Sequence, residues 1–314
     1  MKYLTTVTQV FSWSRIAALT AVLVFSTGVI WAIEIPLPNS RESVKIAIIG
    51  DPGTGGNRQR DIAERLQEAR QLFPFTAVFM LGDNLYGRER PKDYLEKFEK
   101  PYSALLNSGV KFYAVLGNHD TPEQRMYPGF NMGGKRYYSF DAAPGVRVFA
   151  LDTTDLNDAQ IRWIRQELAR PGANWKIVIM HHPLYSSGKR HGPELGMREV
   201  LEPIFVDAGV NLVFSGHEHF YERHTAQRGI QYFISGAAGK LRKNGIRAGD
   251  GTACGFDQDN SFMLLEVGPD AAYFASVARD GTVVDSGEII RKASQLQSAQ
   301  CRTPIQAARG AGRK

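Results

Sequence analysis

Five runs of mainly apolar, strand-forming residues in this chain each lead into a short polar motif, and that repeated coupling restricts the fold more than any other feature. Val44 to Ile49 ends at Gly50-Asp51-Pro52-Gly53, and Thr76 to Leu81 ends at Gly82-Asp83-Asn84-Leu85-Tyr86. Phe112 to Leu116 ends at Gly117-Asn118-His119-Asp120, Trp175 to Met180 at His181, and Leu212 to Phe214 leads to Gly216-His217-Glu218-His219. Short apolar runs without alternation are what strands covered on both faces require. Between them lie helical patterns, with Ile62, Leu66 and Ala69 recurring over Arg58 to Leu72, and others at Asp93 to Leu106, Ala159 to Leu168 and Arg198 to Ala208. This strand-helix-strand rhythm predicts a largely parallel sheet, and such sheets place ligands outside the carboxyl ends of their strands, where all five motifs lie. After Gly229 the runs Ile230 to Ser235, Phe262 to Val267, Ala272 to Ala278 and Thr282 to Ile289 are closely spaced and predict antiparallel pairing. No internal repeat has a fixed period, and no interior linker is long enough to separate independent domains.

The motifs point to one metal site. All seven histidines fall between His119 and His224, and the strand ends also supply carboxylate, phenol and amide groups. A hard or borderline cation takes oxygen and imidazole nitrogen, whereas thiolate selects softer metals, and both cysteines stand outside the motifs. A single Asp after a strand is ordinarily a turn residue and a single His ordinarily packs in a core. Five such groups at one end of one sheet need a different explanation. Nucleotide cradles are excluded: Gly50 to Gly56 lacks the closing Gly-Lys-Ser/Thr, and Gly236-Ala237-Ala238-Gly239-Lys240 lacks the upstream glycine. No Gly-x-Ser-x-Gly elbow is present for a serine hydrolase. The net charge of +6 is carried by the ends. Without Lys2, Arg15, Arg291, Lys292, Arg302, Arg309, Arg313 and Lys314, 30 basic residues face 32 acidic ones, so nucleic acid is not an expected partner.

The five blocks, in this order and at these separations, resemble the calcineurin-like metallophosphoesterase superfamily, and within it the small purple acid phosphatases of the tartrate-resistant type. The resemblance covers about residues 44 to 290 and includes Gly133-Gly134-Lys135-Arg136-Tyr137-Tyr138 and His191-Gly192-Pro193. Most metallophosphatases carry D-x-H in the first block, but here Pro52 and Gly53 follow Asp51. Tyr86 stands three residues after Asp83, where the purple enzymes bind a ferric ion through phenolate. The resemblance implies a four-layer α/β/β/α fold, a β-sandwich of two mixed sheets flanked by helices. It implies Fe(III) held by Asp51, Asp83, Tyr86 and His219, and a second divalent metal (Fe, Zn or Mn) held by Asp83, Asn118, His181 and His217, with Asp83 bridging. It further implies hydrolysis of small phosphate monoesters by in-line attack of a metal-activated hydroxide. His119 and His191 are then the acid or phosphate-contacting groups, with Asp120 orienting His119, and His182 and His224 bystanders. Two alternatives use the same residues differently: a phosphodiesterase, and a tethered binding protein with a degenerate site. Competent residues at all seven ligand positions disfavour the latter.

The ends carry separate expectations. Ile16 to Ile33 is uncharged, follows Lys2 and Arg15, and reads as a signal or anchor segment within residues 1–33. It predicts an exported, periplasmic or extracellular enzyme domain over residues 34–292, held at the membrane if the segment is uncleaved. Residues 293–314, rich in Gln, Ala, Ser and Arg, read as a basic disordered tail. Two cysteines, Cys254 and Cys301, leave a disulfide undecided.

Overall fold

The apolar runs become strands of two seven-stranded mixed sheets whose facing sides share one core. In this computed structural model, residues 34–302 are described apart from 248, 250 and 292–294. Chain order is β1 (Val44–Ile49), α1 (Asn57–Leu72), β2 (Ala77–Met80), α2 (Pro91–Tyr94), α3 (Ser103–Asn107), β3 (Lys111–Ala114), β4 (Tyr138–Ala143), β5 (Val146–Ala150), α4 (Asp158–Leu168), β6 (Trp175–Met180), α5 (Leu195–Asp207), β7 (Leu212–Ser215), β8 (Tyr221–His224), β9 (Gln231–Ser235), β10 (Thr252–Phe256), β11 (Ser261–Val267), β12 (Ala271–Ala278), β13 (Val283–Ile290) and β14 (Gln295–Cys301). The first sheet runs β14-β13-β12-β11-β1-β2-β3 and the second β10-β8-β9-β7-β6-β5-β4.

The absence of alternation in the apolar runs now has its physical cause. Val146, Val148 and Ala150 of β5, Trp175, Ile177 and Ile179 of β6, and Leu212 and Phe214 of β7 turn into the core between the sheets. The residues between them, Phe149, Val178, Met180 and Val213, join Ile164 and Leu168 of α4 and Leu201, Ile204 and Phe205 of α5 in a second cluster. On the first sheet, α1 buries Ile62, Leu66 and Ala69. Each large apolar side chain so buried stabilises the fold by about 1.5–3 kcal/mol relative to exposure. The layers are therefore α/β/β/α, as expected.

Several local expectations are corrected. The helix expected over Asp93 to Leu106 is broken into α2, a π turn at Leu95–Glu99 and α3. Pro101, which has no N–H to donate, stands at the break. Ile230 to Ser235, expected among the antiparallel strands, forms β9, which lies parallel to β7. The cause is two reversals: β8 turns back after β7, and β9 returns antiparallel to β8, inserted between them. The later strands β11, β12 and β13 pair antiparallel as predicted. Residues 295–301 are not disordered, because β14 pairs with β13 and Cys301 is disulfide-bonded to Cys254 on β10, with Cα atoms 5.8 Å apart. That bond ties the edge of one sheet to the edge of the other. The anchor expected at residues 16–33 and the tail beyond residue 302 lie outside the described residues. Among the described residues no helix is long and apolar enough to cross a membrane.

Candidate metal centre

The parallel strands of both sheets end at one place. Asp51 follows β1, Asp83 and Tyr86 follow β2, Asn118 follows β3, His181 follows β6, and His217 and His219 follow β7. One sheet thus brings oxygen donors and the other imidazoles. Backbone bonds lock the ends together, from Asp51 N to Gly82 O (3.1 Å) and from Gly216 N to His181 O (3.0 Å). The close approach needs glycine: a Cβ at Gly82 would come within 2.5 Å of His181 Nδ1, and one at Gly117 would collide with the Asp83 backbone. Asp51, Asp83 and His217 are themselves left-handed, with φ of 55°, 51° and 69°. For non-glycine residues that conformation costs about 1 kcal/mol or more each, and such strain concentrates at functional sites.

The donor atoms form two groups. In one, Tyr86 Oη lies 3.1 Å from Asp51 Oδ1 and 3.3 Å from His219 Nε2, and His219 Nε2 lies 3.4 Å from Asp51 Oδ1. In the other, Asn118 Oδ1 lies 3.0 Å from both His181 Nε2 and His217 Nδ1, which are 3.2 Å apart. Asp83 Oδ1, 3.5 Å from His181 Nε2, stands beside the second group. A cation with donors at about 2.1 Å in near-octahedral array has neighbouring donors about 3 Å apart, so the spacing is that of coordination edges. His181 Nδ1 meets the Leu81 carbonyl at 2.8 Å, which places the proton there and leaves Nε2 a bare lone pair. That lone pair converges with those of Asn118, His217 and Asp83, an arrangement that a cation makes favourable.

Electrostatics agree. Burial, reinforced by Asp83 and only partly opposed by His181, holds the Asp51 carboxyl well above its ordinary range. Burial also opposes ionisation of Asp83, but His181 and the His119 N–H outweigh it and its carboxyl is lowered. Burial, then Asp51 and Asp83, push the Tyr86 phenol far up. Burial lowers His217 to about 2, with His181 adding to it, and His219 to about 4, with Arg242 adding to it, so both rings are neutral donors. Asp51 and Tyr86, whose ionisation burial opposes, together with Asp83 and the neutral rings of His217 and His219, form a set that di- and trivalent cations complete. Oxygen with imidazole nitrogen suits iron, zinc or manganese.

Around this cluster the expected acid groups separate. His119 is exposed beside Tyr86, with ring centroids 5.0 Å apart, and its N–H donates to Asp83 Oδ1 at 3.0 Å. His191 packs its ring 4.3 Å from that of His217. Asp120 does something other than orient His119. Its oxygens accept the N–H groups of Asn84, Leu85 and Gly117 at 2.9–3.1 Å and the side-chain amides of Asn84 and Gln124. The turn closed by Asp120 N to Gly117 O aims the carboxylate inward, where it splices the loops after β2 and β3. His182 has a ring nitrogen within 4.8 Å of those of His181 and His217, but its Nδ1 meets Thr153 Oγ1 at 2.8 Å. Buried His224 pairs with Glu222 (3.3 Å), away from the donor groups.

Four further residues escape a reading of the sequence. Arg190, Lys240 and Arg242 line the cleft of about 200 Å³ together with Asp83, Tyr86, Asn118, His119, His191, His217 and His219. Glu218, buried between the two histidines, accepts Arg242 Nη1 at 3.1 Å and Gly192 N at 2.9 Å. Lys240 ends the glycine-rich stretch excluded as a nucleotide cradle, and its basic residue directly after a strand-end loop was the available signal.

Comparison with known proteins places this geometry among relatives. The family profile described as calcineurin-like phosphoesterase matches residues 44–221. Purple acid phosphatase 17 of Arabidopsis thaliana is 26% identical over 240 residues, 65% of this chain and 71% of that protein. The structure of purple acid phosphatase PPD1 from yellow lupin (Lupinus luteus) seeds superimposes with a TM-score of 0.64 at 19% identity, covering 81% of this chain and 55% of that one. GAP50, the anchor in the inner membrane complex of Plasmodium, superimposes with a TM-score of 0.66 at 18% identity, covering 79% of this chain and 89% of that one. At these identities the two structures share the fold alone.

Proposed function

The chain belongs to the calcineurin-like phosphoesterase family and is a metal-dependent phosphoric ester hydrolase, and from that premise we propose that it is an acid phosphatase of the purple type acting on phosphate monoesters. The observation that carries the reading is the convergence of seven donor side chains in two groups, with a cationic rim beside them. In this reading Asp51, Asp83, Tyr86 and His219 hold Fe(III), and Asp83, Asn118, His181 and His217 hold a second divalent ion. A dinuclear centre when bound supplies a nucleophile at mildly acidic pH and neutralises charge on the phosphoryl oxygens.

The chain's own residues do the rest. His119 and His191 reach phosphate oxygens or pass a proton to the leaving alkoxide, and Asp120 fixes the two loops that carry Asp83 and Asn118. Arg190, Lys240 and Arg242 favour a monoester dianion over the single charge of a diester, which supports the monoester reading over the diesterase one. The Cys254–Cys301 disulfide supports an exported protein, since such bonds persist in oxidising compartments.

The test is the purified full chain assayed on p-nitrophenyl phosphate and bis(p-nitrophenyl) phosphate, with metal content and visible spectrum. The expected result is a monoester preference of at least tenfold, and a phenolate-to-iron colour that disappears in Tyr86→Phe. Preference for the diester overturns the substrate class. A colourless active enzyme holding only zinc or manganese overturns the iron assignment.

A further inference from the structure

The loops that carry Asp51 and Tyr86 are closed into a ring by two residues outside the donor set, Gln59 and Lys97. One side of the ring is backbone: Tyr86 N donates to Gly53 O at 2.9 Å, and Gly53 N to Asp83 O at 3.3 Å. Gly53 must be glycine for this approach, because a Cβ there would collide with the backbone of Asn84 and Leu85. The other side is made by side chains. Gln59, fully buried on the first turn of α1, accepts Gly55 N through Oε1 at 2.7 Å and donates through Nε2 to Lys97 O at 2.5 Å. Lys97 Nζ then donates to Tyr86 O at 2.5 Å and to Arg88 O at 3.3 Å.

Both halves of Lys97 are prepared for this. It lies in the π turn Leu95–Glu99, closed by Lys100 N to Leu95 O at 2.9 Å, and single turns of this kind are frequent at functional sites. In a continuous α-helix the Lys97 carbonyl would take its donor from residue 101. That residue is Pro101, which has no N–H, so the carbonyl is left for Gln59. The side chain is only 16% exposed, and its ammonium stands 3.8 Å from Asp93. Its stem passes against Gly55, where a Cβ would come within 3.1 Å of Lys97 Cγ. With its charge met by Asp93 and its stem enclosed, Lys97 acts through where it places its donors.

We propose that Lys97, held by Gln59, is a positioning residue for Tyr86: it fixes the tyrosine's backbone so that the phenol meets Asp51 and His219. The proposal rests on the reading of those three side chains as metal ligands and names what holds the phenol among them. The phenol oxygen is the far end of a long side chain, so a small shift of the Tyr86 backbone is magnified at the donor atom.

The experiment is a double-mutant cycle on the full metal-loaded chain, comparing the wild type, Lys97→Met, Tyr86→Phe and the double variant. Competition with a chelator measures how tightly each holds its metal, and the visible spectrum and amide hydrogen exchange are recorded beside it. Lys97→Met is expected to weaken retention of one of two metal equivalents about tenfold, to shift the phenolate-to-iron band and to speed exchange of the Tyr86 N–H. Lys97→Arg, whose guanidinium can donate to the same carbonyls, recovers most of the retention. In the Tyr86→Phe background the lysine change has no further effect, because no phenol is left to place. Lys97→Gln, a milder change, repeats the measurements if the methionine variant does not fold. Equal metal losses with and without the phenol, unchanged exchange at Tyr86, or an unshifted band in a coloured enzyme overturns the positioning role. A colourless wild type whose metal retention depends on Lys97 only when Tyr86 is present overturns the iron assignment and leaves the positioning role standing.

Discussion

Reducing the Cys254–Cys301 bond is expected to destabilise the whole sandwich, by an amount set by the length of chain it closes. The two cysteines are 47 residues apart, and the segment between them holds β11, β12 and β13, most of one half of the first sheet. Constraining a loop of that length removes about 14 cal/mol/K from the entropy of the unfolded chain, or about 4 kcal/mol at 25 °C. Because β10 and β14 lie at corresponding edges of the two sheets, the bond also resists their separation. For a domain of this size the loss lowers the melting temperature by roughly 8–16 °C. The assay is urea unfolding of oxidised and reduced protein and of the Cys254→Ala/Cys301→Ala double variant, read by circular dichroism and by fluorescence of buried Trp175. Removing the cross-link also expands the denatured state, so the slope with urea rises. A difference below about 1 kcal/mol, with β14 alone gaining protease sensitivity, would refute the reasoning. It would show that β14 leaves as a separate unit before the core opens.

Removing metal with a chelator should destabilise the protein, because a cation bound only by the folded state contributes about 2.7 kcal/mol at a hundredfold excess over its dissociation constant; an unchanged urea midpoint speaks against the two donor groups. Asp120→Ala should cost about 3 kcal/mol or more, since it strips acceptors from the N–H groups of Asn84, Leu85 and Gly117; a variant as stable as the parent would show that the splice between loops does not matter. Burial opposes the charge on Glu222, but His224, the Ser187 N–H and the Thr252 hydroxyl outweigh it and its carboxyl is lowered. The stability it contributes is therefore present above the ordinary glutamate range and lost as pH falls through the lowered value. Glu222→Gln should flatten that acid limb in urea midpoints taken from about pH 6 to about pH 3, and an identical limb in the variant counts against the assignment.

Much of the architecture was legible because burial on both faces of a parallel strand forces an unbroken apolar run, and the runs at β1, β5 and β6 announce themselves. Strands that meet their needs by pairing polar groups did not. β8 reads Tyr-Glu-Arg-His and looks like a loop, yet Tyr221 and Arg223 both bond Asp285 of the opposite sheet and Glu222 takes Ser187 N and Thr252 Oγ1. β14 was equally illegible, since an exposed edge strand of Gln, Ser and Ala owes its order to β13 and to Cys254.

The donor chemistry is written in the order of residues along the chain. Asp51, Asp83, Tyr86 and Asn118 end parallel strands of one sheet and His181, His217 and His219 those of the other, and the packing of the two sheets brings both sets of carboxyl ends to one place. What surrounds these donors was settled only by folding in three dimensions. Asp120 turned from His119 to the backbone of two loops because a tight turn fixed its direction. Arg190, Lys240 and Arg242 reached the cleft because Glu218 and backbone bonds stitch two distant loops onto the ligand residues. Strand ends follow local pattern, whereas loop positions depend on partners scores of residues away, and no short spacing in a sequence records those.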